Sequence, residues 1–191
     1  GSFCKQNHSL RKKKINVLLD TEDLYFIPYY LNSICRILES ENIEVILGDT
    51  QDDVLTICNI LEDIVANGSD GVIIQPTSEN ETPPKRLVDC FKNLEDNGIP
   101  YIMVDNKFGK ITSSYVMMDE FEAGRLAAQY LKSLGHQNCC MVCHAGYRDS
   151  DQRLAGFMSE FDEEPYLINK PKNMLDEVKR MREIHPEITG I

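Results

Sequence analysis

Short apolar runs alternate along this chain with segments whose apolar residues recur at helical spacing. Ile15 to Leu19, Val72 to Ile74 and Tyr101 to Val104 are three such runs, and each stops at a polar residue: Asp20, Gln75 and Asp105. Runs of this length between helix-period segments read as parallel strands buried on both faces. Sheets of that kind take ligands just beyond the carboxyl ends of their strands. The three polar stops are therefore candidate ligand contacts.

The intervening segments complete a βαβαβαβ order. A helix is predicted from about Pro28 to Ser40, with Tyr29, Tyr30, Ile34, Cys35 and Leu38 near helical spacing and Pro28 in the first turn, where its missing N–H costs nothing. Glu44 to Leu47 forms a second strand. The next helix carries Val54, Leu55, Cys58, Leu61, Ile64 and Val65 and stops at Asn67-Gly68; a third carries Leu87, Val88, Phe91 and Leu94 and stops at Asn97-Gly98. Ser114 to Met118 is a fifth extended piece. It leads to Asp119 and a helix through Leu126, Ala127, Tyr130, Leu131 and Leu134, closed by Gly135.

Beyond Gly135, Cys139 to Cys143 reads as a strand and Arg153 to Phe161 as a helix through Leu154, Phe157, Met158 and Phe161. Asn173 caps another helix with Met174, Val178 and Met181, and Ile188 to Ile191 reads as a strand with the fold continuing past it. The class is α/β, in two parts.

Composition narrows the partners. With 191 residues and 42% of them hydrophobic, the chain can bury a proper core, and its net charge of -11 opposes binding of a phosphate backbone by its own surface. The one basic cluster, Arg11 to Lys14, precedes the first strand and reads as a linker from something upstream. Gly1-Ser2, without an initiator Met, reads as a tag remnant. Seven cysteines without framework spacing suit a reducing cytoplasm. No run approaches the roughly 18 apolar residues of a membrane span.

Several motifs have a bland alternative. Cys140-Met141-Val142-Cys143-His144 fits the C-x-x-C-H haem pattern, but it lies inside an apolar strand-like run, so a buried strand ending at His144 is the better reading. Zinc is rejected because Cys139, Cys140, Cys143 and His144 alternate faces on a strand. Neither a dinucleotide fingerprint, a Walker loop nor a G-x-S-x-G elbow occurs. No cofactor or metal is expected.

The loop after the first strand holds Asp20, Thr21, Glu22, Asp23, Tyr25 and Phe26, which joins acceptors to flat aromatic surface. That combination suits a sugar, whose hydroxyls take acceptors and whose C–H faces take aromatic rings; a solvated acidic loop is the alternative. Gln75 and Asp105 favour the ligand reading, because strand ends supply polar contacts for small molecules. Asp119 either caps its helix or touches ligand, and Arg148 and Arg153 are either surface cations or contacts, Arg153 falling around the start of a helix.

Together NGSDGVIIQPT (67 to 77), NGIPYIMVDN (97 to 106), DEFEAGRLAAQYLKSLGHQ (119 to 137) and RLAGF (153 to 157) resemble the effector-binding domain of the lactose/galactose repressor family. The wording around Gln-Pro-Thr, LEDNGIPYIMVDN and D-x-x-x-x-G is most similar to arabinose-responsive repressors, which carry a gluconate-repressor-type winged-helix domain. The resemblance implies a periplasmic-binding-protein-like fold of two doubly wound parallel-sheet subdomains: residues 1–14 a tag remnant and linker, 15–118 the first subdomain, 119–191 a partial, truncated second. It implies ligand contacts at Asp20, Tyr25, Phe26, Gln75, Asp105, Asp119 and Arg153, with His144 and Arg148 on a strand end and loop.

The implied function is that of a non-enzymatic cytoplasmic sensor. A small sugar such as L-arabinose binds between the subdomains, and closure is transmitted to DNA only through a missing N-terminal domain, in a homodimer with no membrane contact. Two rivals share the sheet pattern: a solute-binding protein of a sugar transport system, and an α/β enzyme using Asp20, Asp105 and Asp119 as acid/base groups or Mg²⁺ ligands.

Overall fold

The computed structural model describes residues 11–21, 27–77, 82–161, 163–169 and 173–191. Its contacts divide the chain into two compact units, one up to Met117 and the other from Met118 to Ile191. The class is α/β with parallel strands, as the alternation of runs predicts.

The first unit is a five-stranded parallel sheet in the order β2-β1-β3-β4-β5, built from β1 (Lys14–Leu19), β2 (Glu44–Asp49), β3 (Gly71–Ile74), β4 (Tyr101–Val104) and β5 (Ser114–Val116). Helices α1 (Ile27–Ser40), α2 (Val54–Asn67) and α3 (Lys85–Asp96) cover it. Because side chains alternate along a strand, Val17 and Leu19 face α1 with Ile34 and Leu38, whereas Leu18, Ile74 and Met103 face α2 and α3 with Leu61, Leu87 and Phe91. Val17, Leu18 and Leu19 are 1%, 0% and 2% exposed, so β1 is buried on both sides. The strand order reverses direction between β1 and β3, which is the topological switch point where such sheets bind ligands.

Between β4 and β5 the usual crossover helix is replaced by the loop 105–113. Phe108, buried in that loop, seals the core with its ring 5.8 Å from Phe91. The exposed edges depart from the predicted stripes. Tyr29 and Leu55 point to solvent, and on the edge strand β2 Ile46 and Leu47 are also exposed.

The second unit has α4 (Glu120–Ser133), β6 (Cys140–Cys143), α5 (Arg148–Met158), β7 (Tyr166–Asn169) and α6 (Met174–Ile184), with β6 and β7 paired in parallel. Strand β7 escapes the sequence reading. Helix α5 starts five residues earlier than predicted, because Ser150 and Asp151 fasten the loop before it, and places Arg153 in its second turn rather than at its start. The predicted strand at 188–191 enters as a single parallel bridge, Gly190 to Cys139. Cys139 packs with Ala128 and Phe157 while Cys140 packs with Ile168 and Ile188, so the adjacent thiols enter two separate clusters.

Helix α4 corrects a stronger expectation. Of the residues at helical spacing Leu131 packs on the core, but Leu126, Tyr130 and Leu134 are exposed, and the buried positions are Gly124 and Ala128. The reason is the closeness of α5: a Cβ on Gly124 would overlap the carbonyl oxygen of Arg153, and one on Gly156 that of Phe121. Each glycine thus admits the other helix's main chain.

In an unpacked helix Gly→Ala gains about 1 kcal/mol. At this crossing overpacking outweighs that gain, so Gly124→Ala and Gly156→Ala are expected to lose about 1–3 kcal/mol each in urea unfolding. Variants as stable as the parent would contradict the close crossing.

Candidate functional site

The carboxyl edge of the first unit brings the three polar stops together. Asp20 follows β1, Gln75 follows β3 and Asp105 follows β4. The main-chain N–H of Gln75 donates to the Leu18 carbonyl at 2.9 Å, extending the ladder one residue past the strand. Its side-chain oxygen accepts from the Asp20 N–H at 3.3 Å, and its Nε2 donates to Asp105 Oδ2 at 3.0 Å. Only one amide orientation satisfies both neighbours, since a donor faces one end and a carboxylate the other. Gln75 is thereby locked between the two aspartates.

Asp105 occupies an uncommon backbone conformation. Its φ is 68°, and the Asn106 N–H closes back on the Val104 carbonyl at 2.7 Å, while the Asp105 N–H donates to the Val116 carbonyl at 2.8 Å. Asp tolerates the left-handed region better than most residues, and non-glycine residues held there concentrate at functional sites. Next to it Asn106 Nδ2 donates to the carbonyl of buried Thr77 at 3.3 Å, and Asn106 Oδ1 accepts from the Lys107 N–H at 2.8 Å. Lys107 Nζ lies over the Tyr115 ring, 4.6 Å from its centroid. Tyr25 and Phe26 lie outside the described residues.

A further strand end joins this edge. Asp49, the last residue of β2, accepts from the main-chain N–H of Thr21 at 3.2 Å and of Gln51 at 3.1 Å. Its carboxyl is held below the usual range, first by the Thr21 hydroxyl, then by those two N–H groups.

The carboxyl edge of the second unit places His144 directly after β6, exposed, with its ring 5.7 Å from Tyr147. The loop is pinned by main-chain donors: His144 to Ser150 Oγ at 2.9 Å, Ala145 to Asn169 Oδ1 at 3.0 Å, and Gly146 to Asp151 Oδ1 at 3.2 Å. Arg148, half-buried, is the first residue of α5. Asp119 is the N-cap of α4, its carboxylate accepting from the Glu122 N–H at 3.0 Å. Arg153 makes a two-pronged ion pair with Glu120, Nη2 to Oε1 at 3.0 Å and Nε to Oε2.

Glu120, Asp49 and Asn169 are missed by the sequence reading. Two of them carried a usable signal, because EVILGD and YLIN are also apolar runs that stop at a polar residue. Glu120 carried none, since its role comes from the helix crossing that brings α5 against α4.

The Thr21–Asp49 contact has a pH signature. Because the folded pKa is lowered, its stabilisation is complete above the ordinary carboxylate value and is lost as pH falls through the lowered one. Carbon-13 NMR titration is expected to find Asp49 below ordinary aspartates, and Thr21→Val to move it back up.

Residues 15–183 match the family described as "Periplasmic binding protein domain", and the chain belongs to that family. It is 23% identical over 193 residues to an arabinose metabolism transcriptional repressor of Halalkalibacterium halodurans, covering 97% of this chain and 51% of that protein. The chain spans about half the length of the curated relatives it matches. A LacI transcriptional regulator from Lactobacillus brevis superposes with a TM-score of 0.73 at 20% identity, over 91% of this chain and 66% of that one. AraP, an arabinose-binding protein from Geobacillus stearothermophilus, gives 0.75 at 21% identity, over 94% and 65%. At these identities both structures establish the fold alone.

Proposed function

We propose that this member of the periplasmic binding protein domain family is the effector-sensing part of a transcriptional regulator. It takes up a small sugar such as L-arabinose at the carboxyl edge of its first unit's sheet, without chemical turnover. The observation that carries the reading is the locked Asp20–Gln75–Asp105 row at the switch point, a set of acceptors and donors fixed before any ligand arrives. Vicinal hydroxyls each donate one hydrogen bond and accept up to two, and a carboxylate beside an amide matches such a pair. The arabinose repressor relative supports the choice of pentose.

A regulator of this kind works in the cytoplasm, and DNA contact falls to a winged-helix domain outside these residues. Ligand switches it only by binding one conformation better than another. A transport-system binding protein is the second reading, favoured by the likeness to solute-binding proteins of ABC transporters. The two readings separate in a gel-shift assay with the full-length protein, where only a regulator releases or gains operator DNA on adding sugar.

Titration calorimetry of the full-length protein with L-arabinose, other pentoses and hexoses is expected to give saturable heat with at least one of them. Asp105→Asn keeps tolerance for the positive φ but removes the charge, and Gln75→Ala unlocks the row; each is expected to weaken that sugar by about tenfold or more. Absence of heat with every sugar overturns the reading.

A further inference from the structure

Strand β1 ends, but its hydrogen-bond ladder runs on. The Leu18 carbonyl accepts from the Gln75 N–H and the Leu19 carbonyl from the Thr50 N–H, each at 2.9 Å, on opposite sides of the strand. The next two N–H groups keep this alternation, with side-chain oxygens receiving them. Asp20 donates to Gln75 Oε1 at 3.3 Å on the β3 side, and Thr21 donates to Asp49 Oδ1 at 3.2 Å on the β2 side. Two side chains thus stand in for one further rung of main chain.

Asp20 is held between them. Its own N–H is fixed from β3 and the N–H that follows its carbonyl is fixed from β2, so the main chain that aims its carboxylate is set from both sides. Asp49 is anchored in turn. The same Oδ1 accepts from the Gln51 N–H at 3.1 Å, the Thr21 hydroxyl adds a further contact, and the turn that follows places Gln51 and Asp52 at φ of 53° and 46°. With Gln75 Nε2 on Asp105 Oδ2 and the Asp105 N–H on the Val116 carbonyl, the string of hydrogen bonds crosses all five strands in sheet order.

We infer that Asp49 is a positioning residue for the sugar: by receiving the Thr21 N–H it orients Asp20 at the site, although it lies on the outermost strand β2. This rests on the sugar-sensing reading above. A carboxylate already aimed has less freedom to lose when a ligand hydroxyl arrives, so the hold on Asp20 shows in affinity. The hold needs an acceptor at Oδ1, and the charge of Asp49 is dispensable to it.

The experiment pairs titration calorimetry of the full-length protein, with L-arabinose, D-xylose, D-galactose and D-glucose as probes, with hydrogen exchange read at single amides without sugar. Asp49→Ala is expected to weaken the bound sugar by about threefold to tenfold. It is also expected to speed exchange at Thr21 and, through the intervening main chain, at Asp20, whose N–H bonds Gln75 rather than Asp49. Asp49→Asn, which keeps Oδ1, is expected to recover most of both. In an Asp20→Ala background Asp49→Ala is expected to add little, because the group it orients is gone.

A merely structural role for Asp49 speeds exchange at Thr21 and Gln51 alone, and weakens the sugar by the same factor with or without the Asp20 carboxylate. Either result overturns the inference while leaving sugar sensing intact. Parent-like affinity in a folded Asp49→Ala, or Asp49→Asn no better than Asp49→Ala, overturns it equally. A parent that gives no heat with any probe overturns the sugar reading and the inference with it. If Asp20→Ala abolishes the heat, exchange at Asp20 in Asp49→Ala decides. If Asp49→Ala does not fold, Thr21→Val, which removes the hydroxyl contact, is expected to shift both measurements in the same direction, and parent-like values there overturn the inference.

Discussion

A parallel strand covered on both faces holds few polar side chains except at its end; in β1 the one buried exception is Asn16. Val17, Leu18 and Leu19 are all buried, and the same holds for Val72, Ile74 and Met103 in the neighbouring strands. Burying an unpaired polar group costs about 1–3 kcal/mol, so selection for a core drives the hydrogen-bonding residues to the edge where the ladder stops. Asp20, Gln75 and Asp105 collect there for that reason, and Asp49 joins them from the exposed edge strand β2. Once collected, they bind one another: Gln75 pairs with its neighbours on both sides, and Thr21 holds Asp49.

The second unit reaches the same end by different means. Its two-stranded sheet is small, and its helices rest on a crossing of main chains rather than of large side chains. Gly124 and Gly156 bring α4 and α5 so close that Glu120 meets Arg153 directly. The loop after β6 is then fixed by side chains reaching its main-chain donors, from Ser150 and Asp151 on α5 and from Asn169 at the end of β7.

Where a residue's role followed from local pattern, the sequence showed it. The alternation of runs and helical stripes located β1 to β6 and all six helices, the polar stops placed Asp20, Gln75 and Asp105 at strand ends, and Asp119 and Asn173 act as caps at the predicted positions. Tertiary context hid the rest. A periodic set of large residues marks α4 as a helix but not which side is covered: Leu126, Tyr130 and Leu134 are exposed, and the buried face is glycine and alanine. The run of β7 is as legible as those of β3 and β4, but it follows the acidic stretch after α5 with no helical stripe to frame it, and with it went Asn169. Phe108 sits in a segment without periodicity, and only the sheet beneath it explains its burial.

The glycine crossing also has a mechanical side. Two helices whose main chains meet this closely at two points cannot slide or roll past one another without collision, so α4 and α5 move as a single lever. The heads of both helices, with Asp119 and Glu120 on one and Arg148 on the other, are thereby tied to the same crossing.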